Sequence, residues 1–332
     1  MENYLYAGAR IRTLENALIG RERLGQLLAC ETTGEMLSRL SEYGVTVVRD
    51  PETGAFQREE TLGRRLSAAY AEVLSSAPDA PFVRIRLAPF DCNNIKAAIK
   101  CRKRGIDCDR MLIPIEGCIP AATVKTAVEK GAFELLPEPF AGGAREASEQ
   151  FARSGDPQCV DRILDRACFA EMLRLANACG VELALKLVKR QIDLTNIMTC
   201  VRAIRMGGGE MGQRVLESFF LPGGTISDAQ LLEWYRAGED TLWERLHYTS
   251  CESFAKAAEE TDRSLTALGT ASDNDLMRLA KEAKSFPIGP EILVGYLIAC
   301  EYEVKNLRIL FAGKSVGLSA QTLRERMRES YV

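Results

Sequence analysis

Histidine is almost missing from this chain. Its 332 residues include one, His247, standing among Trp243, Leu246 and Tyr248. A metal centre built on clustered imidazoles is therefore excluded. The eleven cysteines are odd in number, scattered singly and nowhere spaced C-x-x-C. They read as reduced, buried, small hydrophobes of a cytoplasmic protein, neither a zinc site nor a disulfide framework. Long apolar runs are lacking too. The uncharged stretch from Ile292 to Cys300 holds nine residues between Glu291 and Glu301, against the roughly twenty that a membrane-spanning helix needs. The N-terminal MENYLYAGARIR meets charge too early for the apolar core of a signal peptide. Nor is there an excess of positive charge. Lys and Arg number 43 against 46 Asp and Glu, a net of −3, so no basic field advertises nucleic-acid binding.

What is present is 46% hydrophobic and 27% charged residues, the profile of a globular chain. Strand-like alternation is almost absent, and the fold class expected is all-α. Ala7, Ile11, Leu14 and Leu18 place a helix over 4–19, and a second pattern runs from Leu24 to Leu40. A brief extended piece at 45–48 leads into turn chemistry at Asp50-Pro51-Glu52-Thr53-Gly54. Helical spacing resumes over 59–74 and is interrupted by Ala77-Pro78-Asp79-Ala80-Pro81. Further helices are expected at 121–130, 158–177, 181–206, 227–237, 239–248, 251–268 and 272–286. Pro137, Pro139 and Gly142-Gly143 read as a loop, and Pro290 opens the last long helix at a position where proline is tolerated.

That last helix is the most patterned stretch. Leu293, Leu297, Cys300, Val304, Leu307 and Phe311 form one narrow apolar stripe. Beside the stripe stand Glu303 and Asn306, and Gly317 follows the asparagine by eleven residues. The same layout recurs at Asp193, Asn196 and Gly207, and at Asp91, Asn94 and Gly105. The asparagines are 102 and 110 residues apart, too long a period for a solenoid module, so repeated units are expected. Shifting the stripe back yields Leu183, Leu187, Arg190, Leu194, Ile197 and Val201, with only Arg190 polar. Shifting again yields Pro81, Ile85, Ala88, Cys92, Ile95 and Ile99, with only Pro81 out of pattern. The expected units are 46–145, 146–249 and 250–332, the third completed by helices within 1–45.

A carboxylate and an asparagine at i and i+3 share one helix flank. There the amide can donate and accept at once, satisfying backbone groups of a neighbouring segment, and the carboxylate can hold an arginine or a helix N-terminus. The pair therefore reads as an inter-helix clamp, with a ligand site as the alternative. Other motifs fail. Gly313-Lys314-Ser315 mimics the tail of a phosphate loop, but Arg308 stands where its first glycine is needed, and the stretch follows a helix. Gly207-x-Gly209-x-x-Gly212 lacks a βαβ unit. Arg102-Lys103-Arg104, with Lys96 and Lys100, is the densest basic patch, a solvated face or a surface for an acidic partner. No catalytic pair, cofactor site or metal site is expected.

Three stretches together resemble a known family. They are Tyr4-x-Tyr6-Ala7-x-Ala9-Arg10-Ile11-Arg12 with Leu14-Glu15; Asp91-x-x-Asn94-Ile95-Lys96 with Asp193-x-x-Asn196-Ile197 and Arg202; and Tyr302-Glu303-x-x-Asn306-Leu307-Arg308 with Gly313-Lys314, Gly317-Leu318 and Tyr331-Val332. In this order and spacing the chain resembles the central-stalk C subunit of V/A-type ATPases, equivalent to the d subunit of the eukaryotic vacuolar enzyme. The resemblance implies a funnel- or socket-shaped body of three related helical units with no catalysis of its own. It further implies partners in the rotor shaft (D- and F-type subunits) and the membrane proteolipid ring, with a peripheral position on the cytoplasmic face. The alternative reading is a helical scaffold that binds another helical protein outside the ATPase.

Overall fold

A computed structural model describes residues 4–77 and 81–332, apart from the side chains of Met211 and Val215. The described residues form sixteen α-helices and no strand, which bears out the all-α expectation. A single antiparallel bridge joins Arg49 to Phe56 across the expected turn, where Asp50 Oδ1 accepts the N–H groups of Glu52 and Thr53. Pro78–Ala80 of the expected interruption lie outside the described residues.

The helices, in chain order, are α1 (Leu5–Glu15), α2 (Arg21–Ala29), α3 (Thr33–Glu42), α4 (Arg58–Ser76), α5 (Pro81–Arg104), α6 (Ala121–Lys130), α7 (Phe140–Ser154) and α8 (Gln158–Ala178). They continue with α9 (Glu182–Arg205), α10 (Gly209–Phe219), α11 (Asp228–Ala237), α12 (Glu239–Leu246), α13 (Glu252–Glu259), α14 (Leu265–Ala280), α15 (Pro290–Ser315) and α16 (Ala320–Arg326). Two compact units result, one of Met1–Ala80 with Ala257–Val332 and one of Pro81–Lys256.

In the first unit α15 is the axis, with α1, α4, α14 and α16 packed against it. Nine consecutive residues, Ile292 to Cys300, are all buried, so the expected narrow stripe is in fact a helix covered on every side. Gly295 permits this, because a Cβ there would come within 2.8 Å of the Tyr331 hydroxyl. Leu297 is wholly buried, and truncating such a leucine to alanine costs about 2–5 kcal/mol. Helix α4, grouped by sequence with the first motif copy, packs along α15 instead. In the second unit α5 and α7 pack on α8, α8 packs on α9, and α10 and α11 lie against α9.

Four expected boundaries differ, each for a local reason. The 24–40 pattern is two helices, because the Thr32 hydroxyl caps α3 by accepting the Glu35 N–H while Glu35 accepts the Glu31 N–H. Gly142-Gly143 lies inside α7 rather than in a loop. A Cβ on Gly143 would stand 3.1 Å from the Ala167 Cβ, so the missing side chain lets α7 approach α8. The break placed near residue 270 falls at Thr261–Ser264, where Ser264 accepts the Ala267 N–H and starts α14. The glycines from 207 lead directly into α10, a helix the sequence pattern did not reveal.

Candidate functional site

The three motif copies fall on the three long helices α5, α9 and α15. Asp91, Asn94, Asp193, Asn196, Glu303 and Asn306 are each at most 5% exposed, and they make up six of the ten buried polar side chains among the described residues. A polar group this deep is tolerable only with partners. Each asparagine meets one backbone residue twice. Asn94 Nδ2 donates to the Ile113 carbonyl at 3.1 Å while its Oδ1 accepts the Ile113 N–H at 2.8 Å. Asn196 does the same with Leu221 at 2.8 and 2.9 Å, and Asn306 with Arg328 at 3.0 and 2.8 Å. In all three the amide imitates a neighbouring strand for a segment that has none.

The carboxylates, one helical turn back, meet an isoleucine N–H each. Asp91 Oδ1 accepts from Ile119 at 2.7 Å, Asp193 Oδ1 from Ile226 at 3.1 Å, and Glu303 Oε2 from Ile19 at 2.7 Å. The first two partners lie downstream of their helix. The third comes from 284 residues away in the sequence. A further donor completes each site and differs between them. Asp91 hydrogen-bonds the Cys118 thiol, Asp193 accepts the Thr225 hydroxyl at 2.6 Å, and Glu303 accepts Arg65 Nε at 2.9 Å. Residues 118 and 225 each precede the donating isoleucine. The corresponding Leu18 has no polar group, and Arg65 takes that place.

These differences set the charge balance. Burial pushes the Asp91 carboxyl above its ordinary value, outweighing the Ile119 N–H, the Arg84 charge and the Cys118 thiol. Arg84 stands off at 3.9 Å, on the surface side. For Arg65, burial opposes its charge and the Glu303 carboxylate outweighs it, so its pKa is raised. Gly224 belongs to the second site, since a Cβ on it would overlap Asp193 Oδ1.

The motif glycines end the long helices. Gly105, Gly207 and Gly317 have φ of 66°, 107° and 72°. Around each, two N–H groups turn back on the last turn: Gly105 to Arg102 and Ile106 to Cys101, Gly207 to Ile204 and Gly208 to Ala203, Gly317 to Lys314 and Leu318 to Gly313. All three are complete Schellman caps.

The other sequence candidates disperse. Lys314 donates to the Cys30 carbonyl that ends α2, so the GKS segment is a helix end that closes another helix. Gly209 and Gly212 form the first turn of α10 against Tyr235, whose hydroxyl donates to the Gly209 carbonyl at 3.2 Å. Lys96 and Lys100 pair with Asp165 at 2.5 Å and Asp161 at 2.6 Å, both on α8, Arg102 donates to the Val128 carbonyl, and Lys103 stands over the Phe151 ring. The basic patch is thus largely spent inside its own unit. His247 is half-buried at the end of α12. Asp107, Cys108 and Asp109 bring three potential metal ligands together, but both carboxylates already hold Lys125, at 3.4 and 2.6 Å. No cysteine is paired, and burial pushes the Cys200 thiol up to about 12, which keeps it protonated and inert. No helix of the described residues is long and apolar enough to cross a membrane.

Comparison with known proteins points one way. The family model described as ATP synthase (C/AC39) subunit matches residues 7–326. The C subunit of the V-type sodium ATPase of Enterococcus hirae is 28% identical, with 97% of this chain and 97% of that protein aligned. The C subunit of the A-type ATP synthase of Thermococcus kodakarensis is 23% identical over 97% of this chain and 89% of its own length. That of Methanocaldococcus jannaschii is 24% identical over 97% and 85%.

Proposed function

The chain belongs to the ATP synthase (C/AC39) subunit family, a family of non-catalytic V/A-type ATPase subunits, and from that premise we propose that it is the central-stalk adaptor of a rotary ion-translocating enzyme. In this reading it joins the shaft, made of D- and F-type subunits, to the proteolipid ring on the cytoplasmic face of the membrane. Torque then passes between ATP chemistry and proton or sodium movement.

The observation that supports this most is the clamp built three times on α5, α9 and α15. It favours three repeat units, near 46–145, 146–249 and 250–332 with 1–45, whose loops are each pinned by a buried amide to one backbone residue. A torque-bearing adaptor needs stiffness, and double hydrogen bonds in buried surroundings provide it at a point where a loop would otherwise be free. Taken together, the buried polar groups serve the fold and leave no constellation of nucleophile, base and oxyanion donors among the described residues. Co-purification tests the proposal. The folded chain should retain both the shaft subunits and the proteolipid ring, and failure to bind either, with all components folded, rejects it.

A further inference from the structure

The first unit contains a cavity of about 820 Å³ whose walls carry Arg21, Lys281, Lys284, Arg324 and Arg328, with Glu329 the one acidic side chain and Val332, whose carbonyl accepts the Arg21 N–H, also in the wall. Two of these cations are compensated. Lys281 pairs with Glu329 at 3.2 Å, and Arg328 pairs with Asp273 at 2.8 Å. The guanidinium groups of Arg21 and Arg324 bond to no described group. Lys284 holds only the face of the Tyr331 ring, at 4.8 Å. Three cations without an ion pair therefore line one cavity, from α2, α16 and the short helical turn Lys281–Ser285. Burial and the neighbouring Lys281 charge, with Arg12 adding to them, hold the Lys284 ammonium below the usual lysine range, while Glu15 opposes. The basic side chains of the wall thus outnumber its acidic ones five to one.

We propose that this cavity binds a phosphate-bearing anion. The guanidinium fork matches phosphate oxygens in pairs, and two arginines that line one concavity suit a group with several such oxygens. The buried side chains of Leu24 and Leu28 form an apolar part of the same wall. The site is independent of the stalk assignment, since it uses none of the clamp carboxylates or amides.

Calorimetric titration of the full chain with inorganic pyrophosphate tests it. Saturable one-site binding is expected, weakening as salt is raised. The double variant Arg21→Ala/Arg324→Ala should melt as wild type without ligand, because neither side chain loses a partner, yet bind at least about tenfold more weakly. Lys130→Ala/Arg153→Ala removes the same charge from exposed positions of the other unit and should bind as wild type. A vesicle arm separates the two sources of phosphate. Sedimentation with phosphatidylglycerol vesicles that pyrophosphate reverses identifies a lipid headgroup, whereas pyrophosphate binding without sedimentation identifies a free phosphate compound. No saturable pyrophosphate binding, or an equal loss in both double variants, overturns the proposal.

Discussion

Each asparagine of the three clamps replaces water for one N–H and one carbonyl at the same time, so its removal leaves two buried groups unpaired. Asn196→Leu and Asn306→Leu should each lower stability by about 1–3 kcal/mol, seen as a shifted denaturation midpoint at unchanged slope. A midpoint that stays put would mean that Leu221 and Arg328 find other partners. Asp91 gives a pH signature. Its folded pKa lies above the ordinary 3.8, so the stability linked to protonating it is fully present below about pH 3.8 and is lost as pH rises through the folded value. Asp91→Asn keeps an oxygen for the Ile119 N–H and never acquires a charge. The variant should therefore gain on wild type as pH rises from about 4 to about 7, and a variant whose stability relative to wild type stays constant or falls over that range would refute the assignment. The motif residues themselves were legible, because a carboxylate and an amide at i and i+3 of an apolar helix are conspicuous. Their partners were not. Ile19, Ile113, Ile119, Leu221, Ile226 and Arg328 contribute backbone groups only, which every residue possesses.

Helix ends show the same division. The glycines at 105, 207 and 317 were visible from their spacing, and the positive φ of each explains why glycine is there. Gly105→Ala and Gly317→Ala should each cost about 1–2 kcal/mol through backbone strain alone, since a Cβ at either site would meet nothing within 4 Å. Thermal melts will register the loss. A fully neutral result at both sites would show that these caps relax into another turn. Inside helices glycine carried the opposite message, and at Gly142-Gly143, which read as a loop, the sequence misled. Gly143 and Gly295 serve close packing against Ala167 and Ala283, and a glycine valued for its small volume looks identical in sequence to one valued for its φ. The break between α2 and α3 did have a signal in Thr32-x-x-Glu35, which the continuous apolar spacing across it obscured.

The segments that close the first unit come from opposite ends of the sequence. Ile19 donates to Glu303, Arg21 N–H donates to the Val332 carbonyl, and Arg328 is held by Asn306. Contacts spanning some 284 residues leave no local pattern, which is why the third copy looks truncated in sequence while its partner waits at the other end of the chain. Ile19→Pro removes that one donor and leaves Glu303 with Arg65 alone. Amide exchange should then quicken in α2 and in the segment after α16, and unchanged protection there would mean that the Ile19 bond does not hold the ends together. A body pinned in this way suits an adaptor that must turn without yielding. The most direct test of that role is ATP-driven ion uptake by the enzyme reassembled in vesicles with and without this chain. The coupling role predicts that the soluble head alone still hydrolyses ATP, that no ion gradient forms without the chain, and that adding it back restores the gradient. Equal ion uptake in its presence and absence would contradict that role.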